Sequence, residues 1–279
     1  MNPRALLLWS AAALVVDLAT NDPVYRALVV LAALDVLAAL APRGRQLRPA
    51  LVAAALFGGL AVGLNAVLSH TGAHVIAALP DAWPLVGGPV TVESVAYGIG
   101  AALGIVGAVL AVAPISLVLE SHDLIDALPA RFERTGLAVA TALNLVPGIG
   151  RNAIAIRDAE RMRGWRPRGP RSWADILVPT MLSAIEDALA LAEAMEARAY
   201  GTGARTRFAT VEWRRRDTLV IAAAGFAAGL FLVGRLRGWT LDWEPYPALT
   251  LPPVDPVLVA ACLLLVLPAV PWPSSASTA

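Results

Sequence analysis

Apolar residues gather in six stretches of this chain, at 5–20, 24–41, 49–69, 94–118, 217–234 and 256–271. A helix crossing the hydrocarbon core of a bilayer needs about 20 mostly apolar residues, with a usable range of roughly 17–25. Each stretch is therefore read as a membrane span, the first and last being short. Turn-forming residues separate them: Asn21-Asp22-Pro23, then Pro42-Arg43-Gly44, then a Gly/Pro-rich stretch from Thr71 to Pro89. The 235–255 connection holds Pro245, Pro247, Pro252 and Pro253. The opening run follows Arg4 in the manner of a leader sequence, but it lacks a small-residue cleavage pattern with a polar region behind it. A second apolar run begins at Val24, so 5–19 is expected to be a retained first span.

The long polar region, 119–216, is patterned throughout. Ser121 is an N-cap candidate for the short helix HDLIDAL, which Pro129 ends. Leu137 to Arg163 reads as a long helix interrupted at Pro147-Gly148 and again near Gly150. Trp173 to Tyr200 reads as another, with a kink at Pro179. The basic, Pro-broken segment GWRPRGPRS joins them. Both runs are too apolar for solvated helices and too interrupted by charge to span a bilayer comfortably. Such helices lie along a membrane surface or bury one face against a partner. The expected organisation is spans one to four over 1–118, a cytoplasmic helical region over 119–216, and spans five and six with a tail over 217–279. The fold class is all-α: a polytopic membrane protein of about six transmembrane helices plus long cytoplasmic or interfacial helices.

Composition agrees, with 58% apolar residues against roughly 45–50% in a soluble domain, and a mean hydropathy of +0.66. The net charge of +1 predicts no field for nucleic acid. Charge placement says more. Residues 42–48 carry Arg43, Arg45 and Arg48, 70–93 carry no Arg, and 119–216 hold 15 of the 22 basic residues against 12 of the 21 acids. The bias of Arg toward the cytoplasm then places 42–48, 119–216 and both termini inside. Arg235 and Arg237 fall on the outer side of the fifth span, where they are expected to snorkel.

Every basic residue is Arg. Without Lys the chain can form neither a Walker A phosphate loop nor a Schiff base, so ATP, if used, is hydrolysed by another polypeptide. YGTGAR and VPGIGR lack the strand–Gly–helix context of a phosphate loop, and HExxH and GxSxG are missing. No cofactor is implied. The single Cys262 excludes an intrachain disulfide. His70 and His74 have the four-residue spacing of two ligands on one helix face, but they flank Gly72 in a loop-like stretch and read as no metal site. Of the acids in spans, Asp17 lies near a span end, and Asp35 is the better candidate for an interhelical contact.

Two helix ends remain. RDAERMRGW places Met162, Arg163 and Gly164 at the end of one run, and ALAEAMEARAYGTG places Ala197, Arg198 and Ala199 at the end of the other. One Arg near a helix C-terminus complements the dipole. Two Ala-rich helices ending alike in one cytoplasmic region favour a shared task, since an Arg fork pairs bidentately with a partner's carboxylate. Ala184, Ala188 and Ala192 lie near one face of the second helix, a spacing that lets helix backbones approach closely.

From about Glu93 to Tyr200 the chain resembles the transmembrane T component of energy-coupling factor (ECF) transporters, the family that includes the cobalt-transport permeases. The resemblance runs through ESVAYGIGAALGIVGAVLAVAPISLVLESHDLIDAL, LNLVPGIGRNAIAIRDAERMRGW and AIEDALALAEAMEARAYG. It implies that two Ala-Arg-Gly-type motifs end two coupling helices, here Met162-Arg163-Gly164 and Ala197-Arg198-Ala199. Both Arg residues are kept. Met replaces the first Ala and Ala the last Gly, and Gly201 or Gly203 is expected to supply the second helix break. The resemblance also implies the partners. Two cytoplasmic ABC ATPase subunits take one Arg each, and a small membrane-embedded S component packs on the small-residue face at Ala184, Ala188 and Ala192. The S component, not this chain, captures a vitamin or transition-metal ion. On that basis the chain is a non-catalytic, multi-pass protein of the cell membrane in contact with lipid. The competing reading is a self-contained permease or channel with its own substrate path, for which only Asp35 qualifies and no internal repeat is seen.

Overall fold

The computed structural model describes residues 1–40, 47–80, 87–119, 133–166, 169–199, 213–239 and 242–270. It divides into two compact units, 1–120 with 212–279, and 121–211. The first is the apolar unit. Its helices are α1 (Pro3–Ala19), α2 (Pro23–Leu40), α3 (Leu47–Leu68), α4 (Val92–Val118), α7 (Arg215–Leu236) and α8 (Pro256–Leu264), and a two-stranded sheet, β1 (Val75–Leu79) with β2 (Gly88–Thr91), precedes α4. The second holds α5 (Glu133–Met162) and α6 (Ala174–Ala197). The chain is thus an all-α membrane protein with one small hairpin. Four helices, α2, α3, α4 and α7, are long and apolar enough to cross a bilayer. α1 is one residue short of that class at 17 residues, and α8 has 9 before a 3₁₀ turn at Leu267–Ala269.

Three of these helices start the same way, on an Asx-Pro pair. Asn2 Oδ1 accepts the Arg4 amide at 3.0 Å. Asp22 Oδ1 accepts the Val24 amide at 2.8 Å, and Asp255 Oδ1 accepts the Val257 amide at 2.8 Å. The side chain satisfies an orphan donor of the first turn, while proline at the first helical position needs no partner. α4 starts on a reciprocal cap instead, with Thr91 Oγ1 accepting from the Ser94 amide at 3.2 Å and Ser94 Oγ from the Thr91 amide at 3.3 Å.

The core follows helical spacing: Leu6, Trp9, Ala13 and Val16 of α1 are buried, as are Val220, Ala224, Ala227 and Phe231 of α7. Tyr25 of α2 meets Phe231 edge-on, with ring centroids 5.5 Å apart, and donates to the Pro253 carbonyl at 3.5 Å. Its hydroxyl also accepts the Asp255 amide at 2.8 Å. Trp9 Nε1 donates to the Leu265 carbonyl at 2.9 Å, so the first and last helices close the bundle. Between apolar helices in lipid, close packing of small residues takes over from water exclusion as the source of attraction. α3 is the clear case. It buries only Ala54, Gly58 and Ala61 against α4, and a Cβ at Gly58 would stand 2.9 Å from Val106 Cγ2.

These contacts define two ends of the unit. One gathers residues 1–3, 214–217 and 265–270: the Asn2 amide donates to Asp217 Oδ1 at 3.1 Å, and Arg216 Nη2 donates to the Pro268 carbonyl. The opposite end gathers 20–25, 69–80, 87–91 and 242–255, where Ser69 Oγ and the Tyr246 hydroxyl are 2.9 Å apart. Successive helices of this unit therefore alternate in direction.

The structure corrects several expectations. The connection before α4, read as turns, contains the antiparallel hairpin, with Val75 opposite Thr91 and Leu79 opposite Gly88. A lone two-stranded ribbon is marginal, and this one is tied to α4. His74 Nδ1 lies 2.7 Å from the buried Glu93 Oε1, and Thr91 Oγ1 donates to the Thr71 carbonyl at 2.9 Å. The interruptions expected at Pro147-Gly148 and Gly150 do not occur, and α5 runs unbroken through them. A proline removes one amide from the helical ladder without necessarily ending it. Pro179 likewise sits inside α6.

The two intramembrane acids exchange roles. Asp35 is exposed, whereas Asp17 is 1% exposed and its Oδ1 has no hydrogen-bond partner. Asp17 faces α4, where a Cβ at Gly107 would stand 2.4 Å from its Oδ1. Beside it Arg26 Nη1 donates to the Gly100 carbonyl at 2.9 Å and Nη2 to Asn21 Oδ1 at 2.9 Å. Glycines of α4 make the room that these two polar side chains occupy. Arg235, expected to snorkel, pairs with Asp242. The Ser121 cap, the HDLIDAL helix, Gly201 and Gly203 lie outside the described residues.

Candidate coupling site

The second unit is built on the α5–α6 pair. Asn152 Nδ2 of α5 donates to Asp187 Oδ2 of α6 at 3.1 Å. Trp165 Nε1, just past α5, donates to Asp175 Oδ2 in the first turn of α6 at 3.0 Å. Moving forward along α5 is moving backward along α6, so the helices are antiparallel. α6 buries Ile176 and Thr180, and the Thr180 hydroxyl donates to its own Ile176 carbonyl at 2.7 Å.

α5 ends at Met162 in a Schellman motif. The Trp165 amide donates to the Glu160 carbonyl at 2.9 Å and the Gly164 amide to the Arg161 carbonyl at 3.0 Å. Gly164 takes φ +89°. These two bonds satisfy carbonyls that a helix end leaves orphaned, and a left-handed residue is required at the turn. Arg163 is the C-cap residue. Its Nη1 donates to Glu160 Oε1 at 3.0 Å, and its side chain is 76% exposed.

α6 shares one of those two bonds and the left-handed position. Arg198 is the C-cap residue, the Ala199 amide donates to the Glu196 carbonyl at 2.9 Å, and Ala199 takes φ +52°. The left-handed position thus falls on Ala199 itself, not on a later glycine as expected from sequence. An L-residue is disfavoured there by roughly 1–2 kcal/mol. Arg198 is exposed, and among the described residues its side chain has no partner.

The two caps superpose in design but not in place. Because the helices are antiparallel, Arg163 lies by the start of α6 and Arg198 at its far end. The 24 residues of α6 separate them by about 36 Å at 1.5 Å per residue. One small binding pocket cannot hold both guanidinium groups.

Of the small-residue face, Ala184 is half-buried, while Ala188 and Ala192 are exposed. None is a core residue of the pair. They border a stripe that the sequence reading missed: Leu177, Met181, Ile185 and Leu189 of α6 are each more than half exposed. The signal was there, since large apolar residues four apart on a charged helix mark a face awaiting cover. His70 and His74 do not share a helix face; both follow α3, and the His70 ring packs over Gly88.

Comparison with known proteins bears on the first three quarters of the chain. An energy-coupling factor transporter transmembrane protein EcfT of Lactobacillus helveticus is 31% identical over 110 residues, covering 37% of this chain and 40% of that one. The Thermotoga maritima protein of the same name is 36% identical over 107 residues, 36% of this chain and 40% of that one. That of Streptococcus thermophilus is 38% identical over 104 residues, with 35% and 39% covered. The chain thus aligns with about two fifths of these curated relatives' length. The family model for the cobalt transport protein CbiQ matches residues 1–209, well over half of the sequence. The chain belongs to the CbiQ cobalt transport protein family.

Proposed function

We propose that this chain is the transmembrane T component of an ECF-type ABC importer in the cell membrane. The observation that carries the reading is the pair of matched helix ends, Arg163 and Arg198, held at opposite ends of one antiparallel helix pair. Two exposed guanidinium groups on helix ends about 36 Å apart over the 24 residues of α6 suit two separate soluble subunits, one per Arg. On this reading each subunit is an ABC ATPase, and hydrolysis takes place there, the present chain having no phosphate loop. The EcfT names of the relatives support the assignment. Bidentate pairing of each Arg with a carboxylate fixes both distance and direction, which is what transmitting a displacement requires. The exposed stripe Leu177, Met181, Ile185 and Leu189, with Ala188 and Ala192 beside it, takes the S component. That partner brings a vitamin or a transition-metal ion. Both termini and the α5–α6 unit face the cytoplasm, in keeping with the Arg distribution.

The test is charge reversal, Arg163→Glu with Arg198→Glu, in the assembled transporter. Uptake is expected to fall to background while membrane insertion and expression stay at parental levels. ATPase subunits should also fail to co-purify. Undiminished transport by the double variant would remove the assignment.

A further inference from the structure

The apolar unit carries a groove that the function above does not use. It is lined by Leu14 of α1, Pro49 and Ala50 of α3, and Ala108, Val112 and Leu117 of α4, with a volume of about 600 Å³. The one hydroxyl on its wall, Ser116 Oγ, is satisfied internally by the Ala113 carbonyl at 3.0 Å. Nothing in the groove therefore asks for water, which needs two to four polar partners to stay in a buried site.

Its extent along the bundle is informative. Pro49 lies in the first turn of α3 and Leu117 in the last turn of α4, at the end that also holds residues 1–3 and 214–217. From Leu117 to Ala108 the groove runs about 14 Å along α4 at 1.5 Å per residue, half of the roughly 30 Å hydrocarbon thickness. It is one leaflet deep. Arg48, in the first turn of α3 at this same end of the bundle, is exposed and directly precedes Pro49. Residues 42–48 bear three Arg and no acid, which by the Arg bias of cytoplasmic connections assigns this end to the inner leaflet. Anionic lipids attract basic groups at that surface by about 1 kcal/mol per Arg.

We infer that this groove is a phospholipid site of the inner leaflet, holding one acyl chain between α1, α3 and α4 with the anionic headgroup at Arg48. Lipid fills a wedge that direct helix packing leaves open, and it couples the α3–α4 pair to α1. The site rests on the membrane reading of the chain and is independent of the transporter assignment.

The experiment uses the full chain in nanodiscs of phosphatidylglycerol or phosphatidylcholine, doped with the same lipid bearing a photoactivatable acyl chain. Labelled peptides are mapped by mass spectrometry. Phosphatidylglycerol should label residues 108–117 and Leu14 well above the lipid-facing Leu56 and Leu60. Ala108→Phe, which fills the groove, should abolish that excess. Arg48→Gln should lower the preference for phosphatidylglycerol about fivefold, the equivalent of one Arg at the surface. Where Ala108→Phe does not insert, Val112→Trp at the exposed wall gives the same readout. Equal labelling of all lipid-facing helices, labelling unchanged by the filling variant, or a cross-link to a partner helix in place of lipid would overturn the site.

Discussion

Replacing Ala199 by Gly should strengthen the end of α6. Ala199 is the described non-glycine residue with positive φ, at +52°, and its amide closes the cap on the Glu196 carbonyl at 2.9 Å. Relieving the left-handed conformation returns roughly 1–2 kcal/mol. The greater freedom of glycine in the unfolded chain takes back about 0.5–1 kcal/mol, leaving a net gain of about 0.5–1 kcal/mol. Local opening governs amide exchange at a helix end, so this gain slows exchange by about two- to fivefold. The amide to follow is that of Arg198, which donates to the Ala194 carbonyl at 3.3 Å and is not itself substituted. Hydrogen exchange on the full chain, corrected for the altered neighbouring residue, gives the number. The reciprocal change, Gly164→Ala at φ +89°, should speed exchange of the Trp165 amide by at least as much. If Ala199→Gly leaves Arg198 protection unchanged or lowers it, Ala199 is not strained and the two helix ends are not alike.

Gly107→Ala should destabilise the apolar unit by about 1–3 kcal/mol, as overpacking does, because the new Cβ would lie 2.4 Å from Asp17 Oδ1; thermal unfolding in detergent should show Asp17→Ala restoring the double variant. Burial pushes the Asp22 carboxyl above its ordinary value of 3.8, so the folded state holds that proton more tightly than the unfolded one. Stability should fall as pH rises from about 3.8 through the raised value and stay flat above it. Asp22→Asn keeps an acceptor for the Val24 amide and should flatten that slope in pH-dependent melting curves, while an unchanged slope would contradict it. Asp217→Ala removes the acceptor of both the Asn2 and Arg214 amides and should lower stability by about 1–3 kcal/mol, with faster proteolysis at the N-terminus as the check.

The spans were readable because a bilayer imposes both length and hydropathy. The stretch read as 24–41 became Pro23–Leu40, and 94–118 became Val92–Val118. The end of α5 was readable for a local reason, a Gly break after an Ala-rich run, whereas the left-handed turn of α6 falls on Ala199. Rotation of a helix about its axis was not. Depth alone made Asp35 the better interhelical candidate, but Asp17 points inward because α4 offers Gly107 there, and that match lies ninety residues away in sequence. The hairpin was hidden for the same reason. Its strands are short and flanked by Gly and Pro, and the Glu93–His74 contact that steadies it is not a local pattern. A close backbone approach that the sequence reading did not anticipate lies between α3 and α4, at Gly58 and Gly98.

The bond from the Trp9 indole to the Leu265 carbonyl sets an order for the making of this protein. α1 precedes α7 and α8 in the chain, so the part of its receiving surface that they supply, beside the α4 face that meets Asp17, is made only after α5 and α6. Until then the Trp9 N–H must find water or a headgroup, and the α1 face that meets α7 must rest against lipid or an insertion factor. The α5–α6 unit is complete before that closure, so truncation shortly after residue 211 should leave a finished α5–α6 hairpin attached to an open bundle. Quality control of the membrane unit thus reports on its C-terminal helices.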